Sequence, residues 1–460
     1  MMMLSQVADA TNGDLIGADV LISEVSKDTR SISNGALYVA LKGDNFDGHA
    51  FVSAASDAGA VAVLVSEEQV SDLPQVKVDD TRLALGRLAA SWREKFQGSV
   101  IGITGSNGKT TVKEMCRSIL ANRFGDQKVL STQGNLNNDI GLPMTLLNLR
   151  ECHEFAVIEM GANHMGEIDY LTKITTPDIA VITNAGAAHL EGFGSVENVA
   201  HAKSEIYNGL TSQGFAVINA DDDYFDYWKS KNENRQVVTF SALTTNADIV
   251  ARDISGSTFL LKTAQGDVSI TLQVPGHHNV MNALAATAAT LAVGVAVEDI
   301  AVALEAYTGV KGRLQLLQSE KGSKLIDDTY NANPYSLKAA MDVLVSAGGE
   351  PWLVLGDMGE LGEEADDLHG EAGVSAKKMG IKRLFATGEY SRKAVDGFGA
   401  GAEFFADKNA LASRVYEEMD KKVVVLVKGS RSMKMEEVVA VLMGETESKI
   451  SQTKSNKVNN

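Results

Sequence analysis

The stretch Ile101-Gly-Ile-Thr-Gly-Ser-Asn-Gly-Lys-Thr-Thr111 decides the fold that we expect for this chain. The apolar residues 100–103 predict a buried strand, and residues 112–120 have the spacing of an amphipathic helix. A glycine-rich turn between a strand and a helix is typical of a phosphate-binding loop, because the N–H groups at the helix start face the anion. Lys109 can then reach the terminal phosphates of a nucleotide, and the Thr110 hydroxyl can hold Mg²⁺. We predict an ATP site here; the alternative is a tight turn that binds nothing.

One position of this loop departs from the usual pattern. Ile103 stands five residues before Gly108, where the pattern has a glycine, and glycines stand at Gly102 and Gly105 instead. A turn explains glycines by geometry alone, but it does not explain Gly-Lys-Thr at a helix start. The predicted ATP contacts in the loop are Gly105, Ser106, Asn107, Gly108, Lys109, Thr110 and Thr111.

Composition and charge limit the classes of protein to consider. The chain has 460 residues, of which 44% are hydrophobic and 22% charged, as in a soluble globular protein. Its formal net charge of −18 argues against a broad surface for nucleic acid or anionic membrane. The two cysteines, Cys116 and Cys152, predict no disulfide framework and fit a reducing cytoplasm.

Two segments bear on membrane targeting. Residues 1–16 lack a basic region followed by a long apolar run, so we expect no signal peptide. Residues 280–297 carry no charge, but they contain Asn282, threonines and many alanines. This composition predicts a packed helix rather than a membrane span.

The length of the chain exceeds one ordinary hydrophobic core, so we expect more than one domain. We place the first domain at residues 1–80, the second at 81–312 and the third at 313–445. Residues 446–460 are polar and lack apolar spacing, which predicts a disordered tail.

The predicted second domain has regularly recurring strands with polar ends. Apolar runs at residues 155–158, 179–182 and 215–218 end in Glu159, in Thr183-Asn184 and in Asn219-Ala-Asp221. Helical patterns separate these runs, which predicts a doubly wound parallel sheet. Residues 240–274 instead predict short antiparallel strands.

The flanking domains also have an α/β pattern. In the first domain, strands are predicted at residues 36–41 and 60–65 around a helix at 50–58. Two polar clusters beside them, at residues 27–31 and 42–49, are either solvated loops or ligand contacts. In the third domain, strands with polar carboxyl ends are predicted at residues 324–326, 352–355, 384–386 and 423–427.

Several polar residues are candidates for chemistry, each with a plain structural alternative. Glu159 follows a strand where nucleotide sites place a metal-binding acid, but it could also cap a helix. His189 lies in a glycine-interrupted loop after the next strand and is either a metal or phosphate contact or a structural histidine. Lys203 lies on a predicted helix, and its chemistry alone gives no reason to separate it from surface lysines.

Three further candidates lie near the start of the third domain. Asp328 and Asn331 could bind ribose hydroxyls or form a helix cap and turn. Arg313 stands at the domain junction, where it could contact phosphate or form an interdomain salt bridge.

Taken together, these stretches resemble the Mur ligases of peptidoglycan synthesis over nearly the whole chain outside the tail. The matching stretches, in the order of the family, are Thr104-Gly-Ser-Asn-Gly-Lys-Thr-Thr111, Glu159-Met-Gly-Ala162, Asn184-Ala-Gly-Ala-Ala-His189, Ala202-Lys-Ser-Glu205, His278-Asn-Val-Met-Asn282 and Gly312-Arg313. The family also has Ile or Leu before Thr-Gly, which accounts for Ile103.

The resemblance implies a three-domain α/β fold. A small N-terminal domain would bind a UDP-sugar, a central P-loop domain would bind ATP, and the C-terminal domain would be Rossmann-like. Three more stretches resemble the members that add D-alanyl-D-alanine to UDP-N-acetylmuramoyl-tripeptide: Asp327-Asp-Thr-Tyr-Asn-Ala-Asn-Pro334, Leu355-Gly-Asp-Met-Gly-Glu-Leu361 and Asp44-Asn-Phe-Asp-Gly-His49.

The resemblance also implies residue roles that spacing alone does not. Lys109 would contact the β- and γ-phosphates, Thr110 would hold one Mg²⁺, and Glu159 and His189 would hold a second. Lys203 would be N-carbamylated and serve as a carboxylate-like metal partner. The implied adenine, phosphate and ribose contacts are Asn279, Asn282, Arg313, Asp328 and Asn331. The implied UDP-sugar contacts are Asp28, Arg30, Ser31, Lys42 and His49, and the implied peptide contacts are Asn135, Asn137 and Asn138.

The implied reaction is an ATP-dependent amide ligation in the cytoplasm by a monomeric enzyme, through an acyl phosphate. Its partners would be the UDP-linked tripeptide and D-alanyl-D-alanine, with no nucleic acid and no membrane insertion. The alternatives are another Mur step, a folylpolyglutamate synthase or a non-ligase nucleotide switch. The Asp-Asn-Pro-Arg motif of the diaminopimelate- or lysine-adding ligases is absent, and so is the Asn-Lys-x-Asp motif of switch GTPases. The sequence leaves open whether the third residue of the tripeptide is diaminopimelate or lysine.

Overall fold

The computed structural model describes residues 1–43, 46–187 and 190–445. The predicted tail and His189 therefore lie outside the described residues. In the part of the chain that the structure describes, every helix is too short or too polar to span a bilayer.

The N-terminal part of the chain forms a small sheet with the strand order β2-β9-β8-β5-β4. Strands β4, β5, β8 and β9 are parallel, and β2 runs antiparallel to β9. The strand predicted at residues 36–41 is shorter than expected, because the N–H of Leu41 turns back to the carbonyl of Val39. The elements are β1 (Met2–Met3), α1 (Leu4–Thr11), β2 (Asp14–Ile16), β3 (Leu21–Ile22), β4 (Glu24–Ser26), β5 (Ala36–Val39), β6 (Lys42–Gly43), β7 (Phe46–Asp47), α2 (Val52–Asp57), β8 (Ala60–Val65) and β9 (Gln75–Lys77).

The central part of the chain forms the largest sheet, with the order β11-β12-β10-β13-β14-β15-β16-β17-β18. Strands β10 to β16 are parallel, and β17 and β18 continue the sheet antiparallel, as the pattern of residues 240–274 predicts. The elements are α3 (Thr81–Arg93), β10 (Ser99–Thr104), α4 (Lys109–Phe124), β11 (Val129–Ser131), α5 (Gly141–Leu146), β12 (Phe155–Glu159), α6 (Glu167–Thr175), β13 (Ile179–Ile182), α7 (Leu190–Phe193), α8 (Val196–Ser204), β14 (Phe215–Asn219), α9 (Phe225–Ser230), β15 (Gln236–Ser241), β16 (Ile249–Ser255), β17 (Thr258–Thr263), β18 (Gly266–Thr271), α10 (His277–Ala292) and α11 (Val297–Ala306).

The C-terminal part of the chain forms a sheet with the order β19-β20-β24-β21-β22-β23, parallel except for β19. Its polar strand ends lie together because the carboxyl ends of parallel strands share one edge. The elements are β19 (Gln315–Gln318), β20 (Lys324–Asp328), α12 (Pro334–Ser346), β21 (Glu350–Gly356), α13 (Ala365–Lys378), β22 (Arg383–Thr387), α14 (Ser391–Phe398), β23 (Ala402–Phe405), α15 (Lys408–Glu418), β24 (Val423–Lys428) and α16 (Glu436–Leu442).

The hydrophobic cores follow the faces of the sheets. One face of the central sheet packs on α4, α10 and α11. The other face packs on α5, α6 and α8, and this core continues through α3 into the N-terminal sheet. Helix α3 therefore joins the N-terminal and central parts of the molecule. The predicted α/β class with a parallel central sheet is confirmed, while the domain limits placed at residues 80 and 312 remain predictions.

Candidate active site

The phosphate loop lies between β10 and α4, at the carboxyl edge of the central sheet. Gly108 has φ +82° and caps α4, and a Cβ there would lie 2.3 Å from Oδ1 of Asn282. Gly105 has φ +146°, and a Cβ there would lie 1.9 Å from Oγ1 of Thr183. Both positions accept only glycine without rearrangement, because a left-handed backbone and close neighbours coincide. Residues 106–111 of the loop line a cavity.

Lys109 begins α4 and folds back over the loop. Its Nζ donates to the carbonyls of Gly105, at 2.7 Å, and of Ser106, at 3.3 Å. Burial lowers the pKa of the Lys109 ammonium, and the Glu159 carboxylate opposes that shift. This arrangement holds a cation at the point where the phosphates of a nucleotide would lie.

The Glu159 carboxylate lies beside the loop and is almost fully buried. Strand β12 pairs with β10 so that Glu159 lies opposite Ile103. The Thr110 hydroxyl donates to Oε2 of Glu159 at 2.9 Å, and Nδ2 of Asn137 donates to Oε1 at 2.8 Å. The Glu159 carboxylate thus contacts the phosphate loop, while the following helix α6 is capped by Gly166.

The oxygen atoms of Thr110 and Glu159 fit a magnesium ion. Mg²⁺ prefers hard oxygen ligands and shares them with phosphates and water, so it does not need a cage of protein carboxylates. Among the described residues, no group of three His, Cys, Asp or Glu side chains that could hold a metal ion occurs. His189, predicted to hold a second magnesium ion together with Glu159, lies outside the described residues.

Asn107 connects the loop to two neighbouring elements. Its N–H donates to Oδ1 of Asn184 at 3.0 Å, and its carbonyl accepts from the Thr183 hydroxyl at 2.6 Å. Its Oδ1 accepts from Nδ2 of Asn333, the cap of α12, at 2.9 Å. Its own Nδ2 is buried and has no hydrogen-bond partner among the described residues. A buried donor of this kind is free to bind an acceptor such as water or a ligand oxygen.

Arg313 brings a second cation to the loop from the C-terminal side. Its Nη2 lies 3.4 Å from Oγ1 of Thr110, and its guanidinium stacks on Tyr330 at 4.0 Å from the ring centroid. Its Nε is buried and has no partner in the part of the chain that the structure describes. Arg313 forms no ion pair with any residue that the structure describes, which disfavours the salt-bridge interpretation and favours an anionic ligand.

Asn279 and Asn282 lie on the first turns of α10, next to Gly108. Nδ2 of Asn282 donates to Oδ1 of Asn279 at 3.1 Å, and Nδ2 of Asn279 donates to the carbonyl of Pro275 at 2.7 Å. Both side chains line the same cavity as the loop.

Asp328 ends β20 and forms a buried ion pair with Lys428 at the end of β24. Lys428 also donates to the carbonyl of Asn331 at 2.8 Å, and Oδ1 of Asn331 accepts from the N–H of Ala332. The cap of α12 is Asn333 and not Asn331, whose side chain hydrogen-bonds the backbone of the next residue. Asp328 and Asn331 also line the cavity, so the ribose interpretation stays open.

Lys203 is buried, contrary to what its chemistry alone suggests. It lies near the end of α8 with 1% of its surface exposed, and its Nζ is 5.3 Å from the centroid of the Phe193 ring. Burial, reinforced by the charge of Lys109, lowers the pKa of the Lys203 ammonium to about 7. A fraction of this amine is therefore neutral and nucleophilic near neutral pH.

One large cavity of about 2170 Å³ joins these groups. Its wall includes the phosphate loop, Glu159 and the start of α10 from the central part, and Arg313, Asp328 and Lys428 from the C-terminal part. It extends to Arg82 at the start of α3. A space of this size can hold more than one ligand, because drug-sized pockets measure about 300–1,000 Å³.

Comparison with known proteins places the chain in a family. Three family models match: "Mur ligase family, catalytic domain" over residues 21–93, "Mur ligase middle domain" over residues 103–290 and "Mur ligase, glutamate ligase domain" over residues 312–431. The UDP-N-acetylmuramoyl-tripeptide--D-alanyl-D-alanine ligase of Escherichia coli (strain K12) is 46% identical over 445 residues, which cover 95% of this chain and 98% of that protein. The chain belongs to the Mur ligase family.

Solved structures of Mur ligases have the same fold. A crystal structure of MurF from Acinetobacter baumannii matches with a TM-score of 0.89 at 38% identity, covering 96% of this chain and 98% of that one. The MurF ligase from Thermotoga maritima in complex with ADP matches with a TM-score of 0.81 at 28% identity, covering 92% and 97%. The expected Mur ligase architecture with three domains is confirmed.

The proposed UDP-sugar residues of this Mur ligase lie apart from the cavity wall. Asp28 pairs with Arg30 at 2.6 Å and accepts the N–H of Arg30, while Oγ of Ser31 donates to the carbonyl of Asp28. The Arg30 side chain is 86% exposed. These residues form one polar cluster at the surface of the N-terminal sheet.

A second cluster lies at the two-stranded sheet of β6 and β7. Nδ1 of His49 lies 2.6 Å from Oδ1 of Asp47, and Lys42 pairs with Asp47 at 3.7 Å. Nε2 of His49 accepts the N–H of Ser66, so the imidazole is fixed at both nitrogen atoms. The role of both clusters in this Mur ligase remains a prediction.

The asparagine-rich loop before α5 serves two purposes. Oδ1 of Asn138 accepts from the N–H of Gly141 at 2.8 Å and so shapes the start of α5, while Asn137 contacts Glu159. Asn135 also lines the cavity.

Sequence reasoning missed the residues that hold the loop in place. Thr183, Asn184 and Asn333 all contact Asn107, and the Thr132 hydroxyl accepts the N–H of Glu159. The polar end of β13 was a weak signal for Thr183 and Asn184. No local pattern indicates a contact between Asn107 and Asn333, which are 226 positions apart.

A Gly108→Ala substitution is expected to lower the free energy of unfolding more than Gly166→Ala does. Both glycines cap a helix with nearly the same φ, +82° and +86°, but a Cβ at Gly166 meets nothing within 4 Å. Each alanine costs about 1–2 kcal/mol for the left-handed backbone. At Gly108, Asn282 must also leave its hydrogen bond to Asn279, which adds about 1 kcal/mol. Urea unfolding followed by tryptophan fluorescence measures both losses, and equal losses would contradict the close contact.

Proposed function

We propose that this chain joins D-alanyl-D-alanine to the tripeptide of UDP-N-acetylmuramoyl-tripeptide, with ATP converted to ADP and phosphate. One observation carries the proposal. The phosphate loop, the buried Glu159 carboxylate and Arg313 from the C-terminal domain line one cavity with room for several ligands. The UDP-N-acetylmuramoyl-tripeptide--D-alanyl-D-alanine ligase of Escherichia coli is 46% identical to this chain over 95% of its length.

The first step would transfer the γ-phosphoryl group of ATP to the terminal carboxylate of the tripeptide. A carboxylate is a poor acylating agent, and the acyl phosphate supplies a better leaving group. The two anions repel each other, so cations must neutralise their charge. Lys109, released from its loop carbonyls, would contact the transferred phosphoryl group, and Arg313 would contact the phosphates from the opposite side.

Magnesium ions, one held by Thr110 and a second by Glu159 and His189, would add further neutralising charge when bound. In this role the Asn137 amide orients the Glu159 carboxylate through its hydrogen bond to Oε1. The loop N–H groups would bind the phosphate oxygens.

In the second step the amine of D-alanyl-D-alanine would attack the acyl carbon. An N–C bond forms, the C–O bond to phosphate breaks, and the ammonium proton is lost. Water must be excluded because it would hydrolyse the acyl phosphate. The C-terminal domain, which already contributes Arg313 and Asn333 to the loop, would close the cavity around the reactants.

The remaining residue roles belong to the same proposal. Asn279 and Asn282 would contact adenine, and Asp328 and Asn331 the ribose. The N-terminal clusters at Asp28 and His49 would contact the UDP-sugar.

We further propose that Lys203 reacts with CO₂ to form a carbamate. The neutral amine attacks the carbon of CO₂ and loses a proton, which replaces a buried cation by an anion near Lys109. The lowered pKa of Lys203 supports this step, because only the neutral amine reacts. A monomeric state, a cytoplasmic location and the absence of membrane insertion stay predictions.

Phosphate release and product mass test the proposed reaction. With ATP, Mg²⁺, the UDP-linked tripeptide and D-alanyl-D-alanine, we expect phosphate and a product that contains the dipeptide. Omitting the dipeptide should stop steady phosphate release. Release that continues unchanged without the dipeptide, or no ligated product by mass spectrometry, would contradict the ligase.

A further inference from the structure

An ion pair on the cavity wall has no part in the steps above. Arg82 lies in the first turn of α3, and its Nε donates to Oδ2 of Asp139 in the loop before α5. The two side chains are 54% and 27% exposed, and both line the cavity. The charges are therefore accessible to a ligand from the cavity.

The pair leaves hydrogen-bonding capacity on both partners. Within the described residues, the two Nη groups of Arg82 donate to no acceptor, and Oδ1 of Asp139 accepts from no donor. An exposed ion pair contributes only about 0–1 kcal/mol to stability, so folding gives little reason for its presence. The neighbouring Asp80 is already committed, since its carboxylate accepts the N–H groups of Arg82 and Leu83 as the cap of α3.

The ion pair lies close to the reacting centre. Asp139 follows Asn137 by two residues, and Asn137 contacts the Glu159 carboxylate at 2.8 Å. Two residues of extended chain span at most about 7 Å. The pair also lies at α3, which packs against both the N-terminal and the central sheet. With the UDP-sugar on the N-terminal domain, as proposed above, its peptide would pass this point on the way to the phosphate loop.

The third residue of the tripeptide has a matching chemistry in one of its two forms. Its α-carboxylate is the group that is activated. In diaminopimelate the side chain ends in a second amino-acid centre, with an ammonium and a carboxylate on one carbon about 5 Å from the first centre. In lysine the side chain ends in an ammonium alone.

We propose, on the basis of the function proposed above, that Arg82 and Asp139 bind the far amino-acid centre of a diaminopimelate residue. The Arg82 guanidinium binds its carboxylate, and the Asp139 carboxylate binds its ammonium. Guanidinium suits this role because it pairs with a carboxylate through two parallel hydrogen bonds. When the ligand binds, the contact between Arg82 and Asp139 is replaced by one contact of each side chain with an opposite charge of the ligand. Neither charge is then left without a partner. A lysine residue in the tripeptide has no far carboxylate, so it would pair with Asp139 but not with Arg82.

Three tripeptides test the assignment with the wild-type enzyme. They carry diaminopimelate, lysine, or diaminopimelate whose far carboxylate is an amide. We expect kcat/KM to be about tenfold or more higher with diaminopimelate than with the other two, as for one charge-assisted pair. The amide keeps the ammonium and the shape, so this comparison isolates the far carboxylate.

Variants assign the effect to each residue. Arg82→Ala is expected to reduce the preference for diaminopimelate over lysine by about tenfold or more, mainly through a higher KM for the diaminopimelate tripeptide. Arg82→Lys should restore part of the preference, because it keeps the charge without the planar fork. Asp139→Asn should lower kcat/KM with both tripeptides, because both carry the ammonium.

A matched control is the exposed pair of Arg123 with Asp299, at 3.1 Å and outside the cavity wall. Arg123→Ala should leave kcat/KM unchanged for both the diaminopimelate and the lysine tripeptide. Equal kcat/KM of the wild type for the diaminopimelate tripeptide and its amide would overturn the assignment, and so would a preference that Arg82→Ala leaves unchanged. The wild-type comparison does not depend on the folding of any variant. No product with any tripeptide would instead contradict the proposed function.

Discussion

Replacing Lys109 by methionine is expected to lower kcat by about a thousandfold, the upper range for removal of one group that stabilises transition-state charge. The side chain donates to Gly105 and Ser106 at the turn where the phosphates would bind. Methionine keeps much of the length of the side chain but removes the ammonium. The charge on the transferred phosphoryl group then has one cation fewer, so the loss should fall on kcat more than on the KM for ATP.

Steady-state kinetics and ADP binding by calorimetry separate the two effects. Lys173→Met serves as control, because Lys173 is 62% exposed and pairs with Asp169 on the surface of α6. This control should keep wild-type kinetics. If Lys109→Met kept more than about a tenth of the wild-type kcat, the proposed role of Lys109 in phosphoryl transfer would be wrong.

Replacing Lys203 by alanine is expected to lower the kcat of ligation by at least about a thousandfold. This is the upper range of the loss that follows removal of one group that stabilises transition-state charge. Alanine removes the amine that would become the carbamate. Burial lowers the pKa of this amine to about 7, well below that of a free lysine, so part of it is neutral near pH 7. The cavity left by the side chain is large enough for a small acid, so short carboxylic acids or bicarbonate should restore part of the activity.

Lys113→Ala is the matched control for this rescue. Lys113 is also 1% exposed, but it donates to the carbonyl of Thr132 and pairs with Glu114. Short acids should not restore any activity that Lys113→Ala loses. Full activity of Lys203→Ala would return Lys203 to a structural role, and ¹³C NMR of the wild type with ¹³CO₂ should show a carbamate signal that the variant lacks.

The central fold was predictable because its signals are local. The phosphate loop carries its turn glycines and helix start within eleven residues, and each buried parallel strand is a short apolar run with a polar end. Helix α4 begins at Lys109, earlier than the apolar pattern indicates, because left-handed Gly108 starts the first turn. Strand β11 was missed, since three residues are too few to carry a pattern.

The site was predictable only in part, because burial and long-range pairing have no local signature. Nothing in Ala202-Lys-Ser-Glu205 distinguishes a buried lysine from a surface one. The resemblance to the Mur ligases singled out Lys203, and the fold then explained its lowered pKa. The contact between Asn107 and Asn333 and the pair of Arg82 with Asp139 arise only when distant elements come together.

The size of the cavity bears on inhibition. A single drug-sized molecule would fill less than half of about 2170 Å³ and leave other ligands room to bind. A compound that links an anion at Lys109 and Arg313 to a zwitterion at Arg82 and Asp139 would occupy two subsites at once. The second group would then bind at a high effective concentration, with a gain that depends on how well the linker spans the two subsites. For such a compound the length of the linker would therefore decide the affinity together with the contacts at either end.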